Sequence, residues 1–167
     1  MNRICGLLLF LICSLSCTNS RLIYPIEDLT EAFTKDGKRD LILKEGNKYL
    51  WFVTYENLSN DLYHTPSGKI DRIMNENPDW QFICYCHCPI SDSSKVVGKL
   101  NQYNCSLPVI IDEEGRFLKI NGIKESYSDI GFICDKRGRC LGVSTIGTTQ
   151  SFFDQEFSNA KRKVISP

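Results

Sequence analysis

The sequence predicts an α/β domain, a three-layer sandwich in which a mixed central sheet carries helices on both faces. Three observations predict it. Two near-continuous apolar runs, residues 49–55 and 80–88, read as strands buried on both faces. They alternate with segments whose apolar residues recur at spacings of three and four, the helix period, and that alternation implies parallel strands joined by right-handed crossovers. Two later segments repeat strand, Asp-x-x-Gly-Arg turn, strand, at Asp112 to Arg116 and at Asp135 to Arg139. These read as hairpins that add antiparallel strands.

The chain has 167 residues, with 20 basic and 20 acidic side chains, 42% hydrophobic and 24% charged residues. Those figures fit one globular domain and exclude a disordered tail, a coiled coil and a polytopic membrane protein. A formal net charge of zero argues against a nucleic-acid partner, which usually requires a Lys/Arg excess. The cluster Lys161-Arg162-Lys163 reads as the basic last turn of a helix.

In chain order, the N-terminus comes first. Arg3 is a positive start, residues 4–15 are an apolar run, and Ser16 is a small residue before Cys17. This is a secretory signal layout, and it is shorter than the roughly 20 residues a spanning helix needs. A signal ending in a small residue and a cysteine resembles a bacterial lipoprotein leader. The resemblance implies a signal peptide over 1–16, lipid attachment at Cys17, a lipidated cysteine and tether over 17–24, and a domain over 25–167. It also implies a partner, the membrane, reached through the lipid at Cys17 and facing periplasm or exterior. The usual leader has Leu three places before the cysteine, where Ser14 stands here. An ordinary secreted chain cut near Ser16 or Ser20 is the alternative.

Residues 25–35 carry Pro25 early, acids in the first turn, and Ile26, Leu29 and Phe33 at helical spacing, which predicts a short amphipathic helix. Leu41-Ile42-Leu43 reads as a strand, and Glu45-Gly46-Asn47 as a turn. After the 49–55 strand, residues 56–64 are polar and read as a loop. Thr65 as N-cap and Pro66 at the first helical position open a helix bearing Ile70, Ile73 and Met74, stopped at Asn77-Pro78. Beyond the 80–88 strand, Ser91 or Asp92 caps a helix with Val96, Val97 and Leu100 on one face. Residues 108–112 and 117–120 form the first hairpin, and 131–134 and 140–143 the second. Thr148 or Thr149 caps a last helix with Phe152, Phe153 and Phe157.

This order, with Pro108 to Gly115 and Phe132 to Arg139 as its Asp-x-x-Gly segments, resembles the thioredoxin-like fold in its TlpA, redoxin and peroxiredoxin-like branch, over about residues 41–164. Active members of that branch carry Cys-x-x-Cys after the central strand, at the start of the next helix, where the helix N-terminus lowers a thiol pKa. The matching place here is Asn57-Leu58-Ser59-Asn60, without sulfur. The family's cis-proline falls near Asp129-Ile130, without proline. The resemblance therefore implies the fold with a degenerate redox site.

Cys84, Cys86 and Cys88 share one face of a strand, about 6.7 Å apart. A tetrahedral zinc needs sulfurs closer than about 4 Å, so a straight strand offers no such site. Pro89 can kink the end and release Cys88 from that argument. Core packing is the default reading; were this strand to form a disulfide, Cys105 is the distant partner, with Cys88. Cys134 and Cys140 flank the second turn, where a structural disulfide is geometrically possible and two unbonded core thiols are the default reading. His64 reads as a solvated loop residue and His87 as a strand residue.

The expected function is an envelope-anchored, non-catalytic binding or accessory protein, with no cofactor or metal and an unidentified protein or small-molecule partner. The alternative is a thiol–disulfide oxidoreductase or peroxidase using displaced Cys88 and Cys105. A metal-binding protein using Cys84, Cys86 and Cys88 is the third reading.

Overall fold

A computed structural model describes residues 21–146 and 150–165. The signal segment, Cys17, the tether up to Ser20 and the Thr148/Thr149 cap lie outside the described residues, as does the side chain of Phe152. The strands are β1 (Glu31–Thr34), β2 (Gly37–Asp40), β3 (Asn47–Thr54), β4 (Trp80–His87), β5 (Val109–Ile111), β6 (Asp129–Cys134) and β7 (Cys140–Val143). The helices are α1 (Tyr55–His64), α2 (Lys69–Glu76), α3 (Ser93–Gln102), α4 (Arg116–Ile120) and α5 (Gln150–Ile165).

The strands form one seven-stranded sheet in the order β2-β1-β5-β4-β3-β6-β7. The central three, β5, β4 and β3, are parallel, and the outer four are antiparallel to their neighbours. Side chains alternate across the sheet as the strand period requires. Tyr49, Trp51 and Val53 of β3 pack with Leu58 and Leu62, Ile70 and Ile73, Val96 and Leu100, and Phe153 and Phe157. Four helices thus cover one face. Leu50 and Phe52 face the other way, onto Phe117 and Leu118 of α4 and onto Ile23 and Ile26 of the N-terminal segment. The mixed three-layer sandwich is as the sequence predicts.

Five local expectations are corrected. Residues 25–35 form no helix. Their C-terminal part is β1, paired with β2 from Glu31↔Asp40 to Thr34↔Gly37. Ala32 and Phe33 point to opposite faces of the sheet, and the Ile26 amide donates to the Tyr85 hydroxyl at 3.1 Å. Tertiary burial overrides a helical spacing that is only locally consistent. Leu41 to Leu43 lie just past the sheet, with Leu41 buried and Ile42 78% exposed. The edge strand is instead β2, whose Lys38, Arg39 and Asp40 are exposed.

The polar stretch after β3 is helix α1. Thr54 caps it, its hydroxyl accepting from the Asn57 amide, and Leu58 and Leu62, four apart, face the core. The next helix begins at Lys69, after Gly68 at φ 75, not at Pro66. Residues 117–120 are helical as well. The buried Asp112 carboxylate accepts from the Arg116 and Phe117 amides, both at 2.8 Å, and this caps α4 instead of closing a hairpin. The second hairpin, β6 with β7, forms as expected.

At Gly131 the sheet leaves no room for a side chain. A Cβ there would lie 2.2 Å from both the Ser144 carbonyl oxygen and the Tyr49 hydroxyl, which donates to that same carbonyl at 2.8 Å. Gly131→Ala should therefore lower stability by about 3 kcal/mol, the scale of severe overpacking. A urea midpoint within experimental error of wild type would refute this packing account.

Candidate functional site

Thr54 and His87 are register partners, so β3 and β4 end side by side. The chain leaves β3 directly into α1 and leaves β4 through Cys88, Pro89 and a 3-10 turn, Ile90–Asp92, into α3. Open α/β sheets bind their ligands beyond the carboxyl ends of such parallel strands. Three groups of residues meet at this edge.

The first is Asn57 to Asn60, in the opening turns of α1. The Asn57 side-chain amide donates to the Ser128 carbonyl at 3.1 Å and to the Ser128 hydroxyl at 3.0 Å. The Thr54 amide donates to the same carbonyl at 2.9 Å. The Asn57 side chain thus ties the first turn of α1 to the segment before β6. Leu58 is core, Ser59 is half-buried and Asn60 is exposed. Tyr63 and His64 pack ring edge to ring face at the far end of α1, both exposed.

The second group is a pair of acids. Asp61, one turn further along α1, meets Asp129 at the start of β6. No cis peptide occurs among the described residues. The Trp51 indole donates to Asp129 at 2.6 Å, and Thr145 bonds it as well. Burial first, and then the charge of Asp129, pushes the Asp61 carboxyl up to about 7. Burial also raises Asp129, which holds the negative charge while Asp61 donates the shared proton. Asp61 Oδ2 is buried, and no N–H or hydroxyl donor reaches it.

The third group is the sulfur line of β4. Cys84, Cys86 and Cys88 face the helices of the four-helix side. Burial pushes the Cys84 thiol up. The strand ends at His87, and Cys88 steps out of it, bringing its Sγ to 3.8 Å from Cys86 Sγ. Donation from Cys86 to Cys88 lowers the Cys88 thiol and, with burial, raises that of Cys86. His87 turns the other way, its Nδ1 2.9 Å from the Asp112 carbonyl oxygen. Cys105 lies in the same apolar cluster, where burial pushes it up to about 12 and its charge would be felt by Cys84. Cys134 and Cys140 are register partners across β6 and β7, both as thiols. The Cys140 thiol donates to the Gly142 carbonyl at 3.3 Å. No three His, Cys, Asp or Glu groups among the described residues are placed to hold a metal ion.

The sequence did not point to the Asp61–Asp129 pair, because it treated 56–64 as a loop and could not supply the register Val53↔Asp129. A signal for the Cys86–Cys88 contact was present in Pro89, which ends the strand.

The raised Asp61 carboxyl has a pH consequence of definite sign. The unfolded chain releases this proton near the ordinary carboxyl range, while the native chain holds it to about 7. Between those values native protein binds the extra proton, so stability falls as pH rises through that window. The wild-type urea midpoint should therefore drop from about pH 5 to about pH 8 more steeply than that of Asp61→Asn. Equal slopes for the two proteins would contradict the shared-proton arrangement.

No family model and no curated protein matches this sequence. Solved structures do. A thioredoxin-like protein in its oxidised form superposes with TM-score 0.59 at 8% identity, over 86% of this chain and 97% of that one. A secreted disulfide oxidoreductase from Mycobacterium tuberculosis matches with TM-score 0.53 at 15% identity, over 87% and 99%. The exposed lipoprotein thioredoxin of Streptococcus pneumoniae matches with TM-score 0.51 at 18% identity, over 77% and 96%. At such identities the likeness is one of fold. The chain has the thioredoxin-like, redoxin-type fold, and its sequence carries no Cys-x-x-Cys pair.

Proposed function

We propose that this chain is an envelope-anchored lipoprotein of thioredoxin-like fold that acts as a non-catalytic binding or accessory protein. One observation carries the reading. The Asn57 side chain is committed to Ser128 at the place where an oxidoreductase needs a reactive thiol. Exchange with another protein's disulfide requires an accessible thiolate. The sulfurs at the end of β4, Cys86 and Cys88, are 0% and 6% exposed. The outer face of α1, with Glu56, Asn60, Tyr63 and His64 exposed, offers the contact surface at this edge. Its partner is a protein or a small molecule. Anchorage rests on the leader and on lipid at Cys17, and no helix among the described residues is long and apolar enough to cross a membrane.

A second reading, thiol–disulfide oxidoreductase or peroxidase with displaced cysteines, draws on the contact between Cys88 and Cys86. Insulin reduction by dithiothreitol separates the two. The expected outcome is no acceleration by this protein. Turnover that disappears in Cys88→Ser would establish the enzyme instead. For the anchor, Cys17→Ser should move the protein from the detergent phase to the aqueous phase in a cloud-point extraction. Retention of the variant in the detergent phase would count against lipid at Cys17.

A further inference from the structure

The contact between Cys86 and Cys88 is unusual for two residues of one strand. Side chains two apart along a regular strand stand about 6.7 Å from each other. Here the sulfurs are at 3.8 Å, because the ladder stops at His87 and Cys88 belongs to the turn beyond it. The two thiols also differ. Cys86 is fully enclosed by the core, and Cys88 reaches the rim with 6% of its surface exposed. The two sulfurs lie within hydrogen-bonding reach of each other, and the outer one, on Cys88, is the one a small oxidant meets first.

We propose that Cys86 and Cys88 form a peroxide-sensitive thiol switch at the carboxyl edge of β4. The Cys88 thiolate attacks one oxygen of hydrogen peroxide. The O–O bond breaks, a sulfenic acid forms on Cys88, and the departing hydroxide takes up a proton to become water. The Cys86 sulfur then attacks the Cys88 sulfur. The S–O bond breaks, a disulfide forms, and the proton leaving Cys86 joins the second hydroxide as water. Each sulfur loses one electron, and peroxide gains two.

Access selects the oxidant. A protein disulfide cannot approach a sulfur held under the surface, whereas hydrogen peroxide is close to water in size. Closure moves the sulfurs from 3.8 Å to about 2.05 Å in a loop with a single intervening residue. A ring closed over one intervening residue leaves the backbone little freedom to reach unstrained disulfide geometry. Such a bond is readily reduced, which suits a reversible switch better than a permanent staple. This proposal goes beyond the binding reading and stands without it.

The test treats the full chain with hydrogen peroxide, blocks the remaining thiols by alkylation, and maps every cysteine-containing peptide by mass. The expected result is loss of two hydrogens within the segment carrying Cys86 and Cys88, reversed by dithiothreitol. Cys86→Ser should stop at a sulfenic acid on Cys88 that dimedone traps, and Cys88→Ser should leave Cys86 a thiol. The wild-type map decides even if a variant fails to fold. A bond from Cys88 to Cys84 or Cys105, or a Cys88 thiol that survives peroxide sufficient to oxidise glutathione, would overturn the proposal. Insulin turnover is a separate readout, so failure of the switch and failure of the binding reading are distinguishable.

Discussion

The parallel pairing of β3 with β4 organises this molecule. Eight consecutive partners run from Asn47↔Trp80 to Thr54↔His87. Parallel strands carry no side face for water, so both must be apolar on both sides, and each must hand the chain to a crossover at the same edge. That single constraint brings the start of α1 beside the end of β4. It sets Asn57 and the Cys86–Cys88 pair at one edge although about 30 residues of crossover separate them, a normal length for such a connection. It also fixes which residues are core: Trp51 and Phe52, adjacent in sequence, belong to opposite hydrophobic layers.

On this frame the edge has been refitted with polar chemistry of a different kind. A dithiol at a helix start is a site built around a negative sulfur. Here the helix start is bonded shut by Asn57 and Ser128, and the interior beneath it holds a carboxyl pair, Asp61 with Asp129, anchored by Trp51. Two acids in partial burial persist only by sharing a proton and by accepting fixed donors. The arrangement gives the edge a strong hydrogen-bonding network with no thiol in α1. Sulfur chemistry is confined to the neighbouring strand, below the surface.

Much of the architecture was legible because its cause is local. Apolar runs long enough for a strand and bounded by polar turns announced β3 and β4, and Gly138 at φ 78 marked the turn between β6 and β7. The failures have distant causes. Ile26 and Leu29 satisfy a helical spacing, but the Ile26 amide is claimed by Tyr85, 59 residues away. The same Asp-x-x-Gly-Arg motif has two outcomes. Asp135 accepts from the Arg137 and Arg139 amides, pairs with the Arg139 guanidinium and closes a hairpin. Asp112 accepts from the Arg116 and Phe117 amides and starts a helix. The motif specifies the turn and leaves the next element open. Whether Phe117 and Leu118 find a core to enter decides between helix and strand. At the site, the sulfur-free stretch was readable because it is contiguous. The acid pair was not, because its members come together only through register.

The two sheet edges carry a consequence for how this protein can be approached. On one side β2 presents Lys38, Arg39 and Asp40, with Lys38 held by Glu31. On the other, Lys163 donates to the Leu141 carbonyl at 2.7 Å, the Cys140 amide is taken by the Arg21 carbonyl, and Leu22 bridges Arg139. The β2 margin is short and lined with charged side chains, and the β7 margin has part of its backbone already bonded, so strand addition, a common way for sheets to recruit chains, is disfavoured at both ends. Recognition through side chains on helices and turns is favoured over main-chain pairing, and edge-to-edge zipping of copies is discouraged.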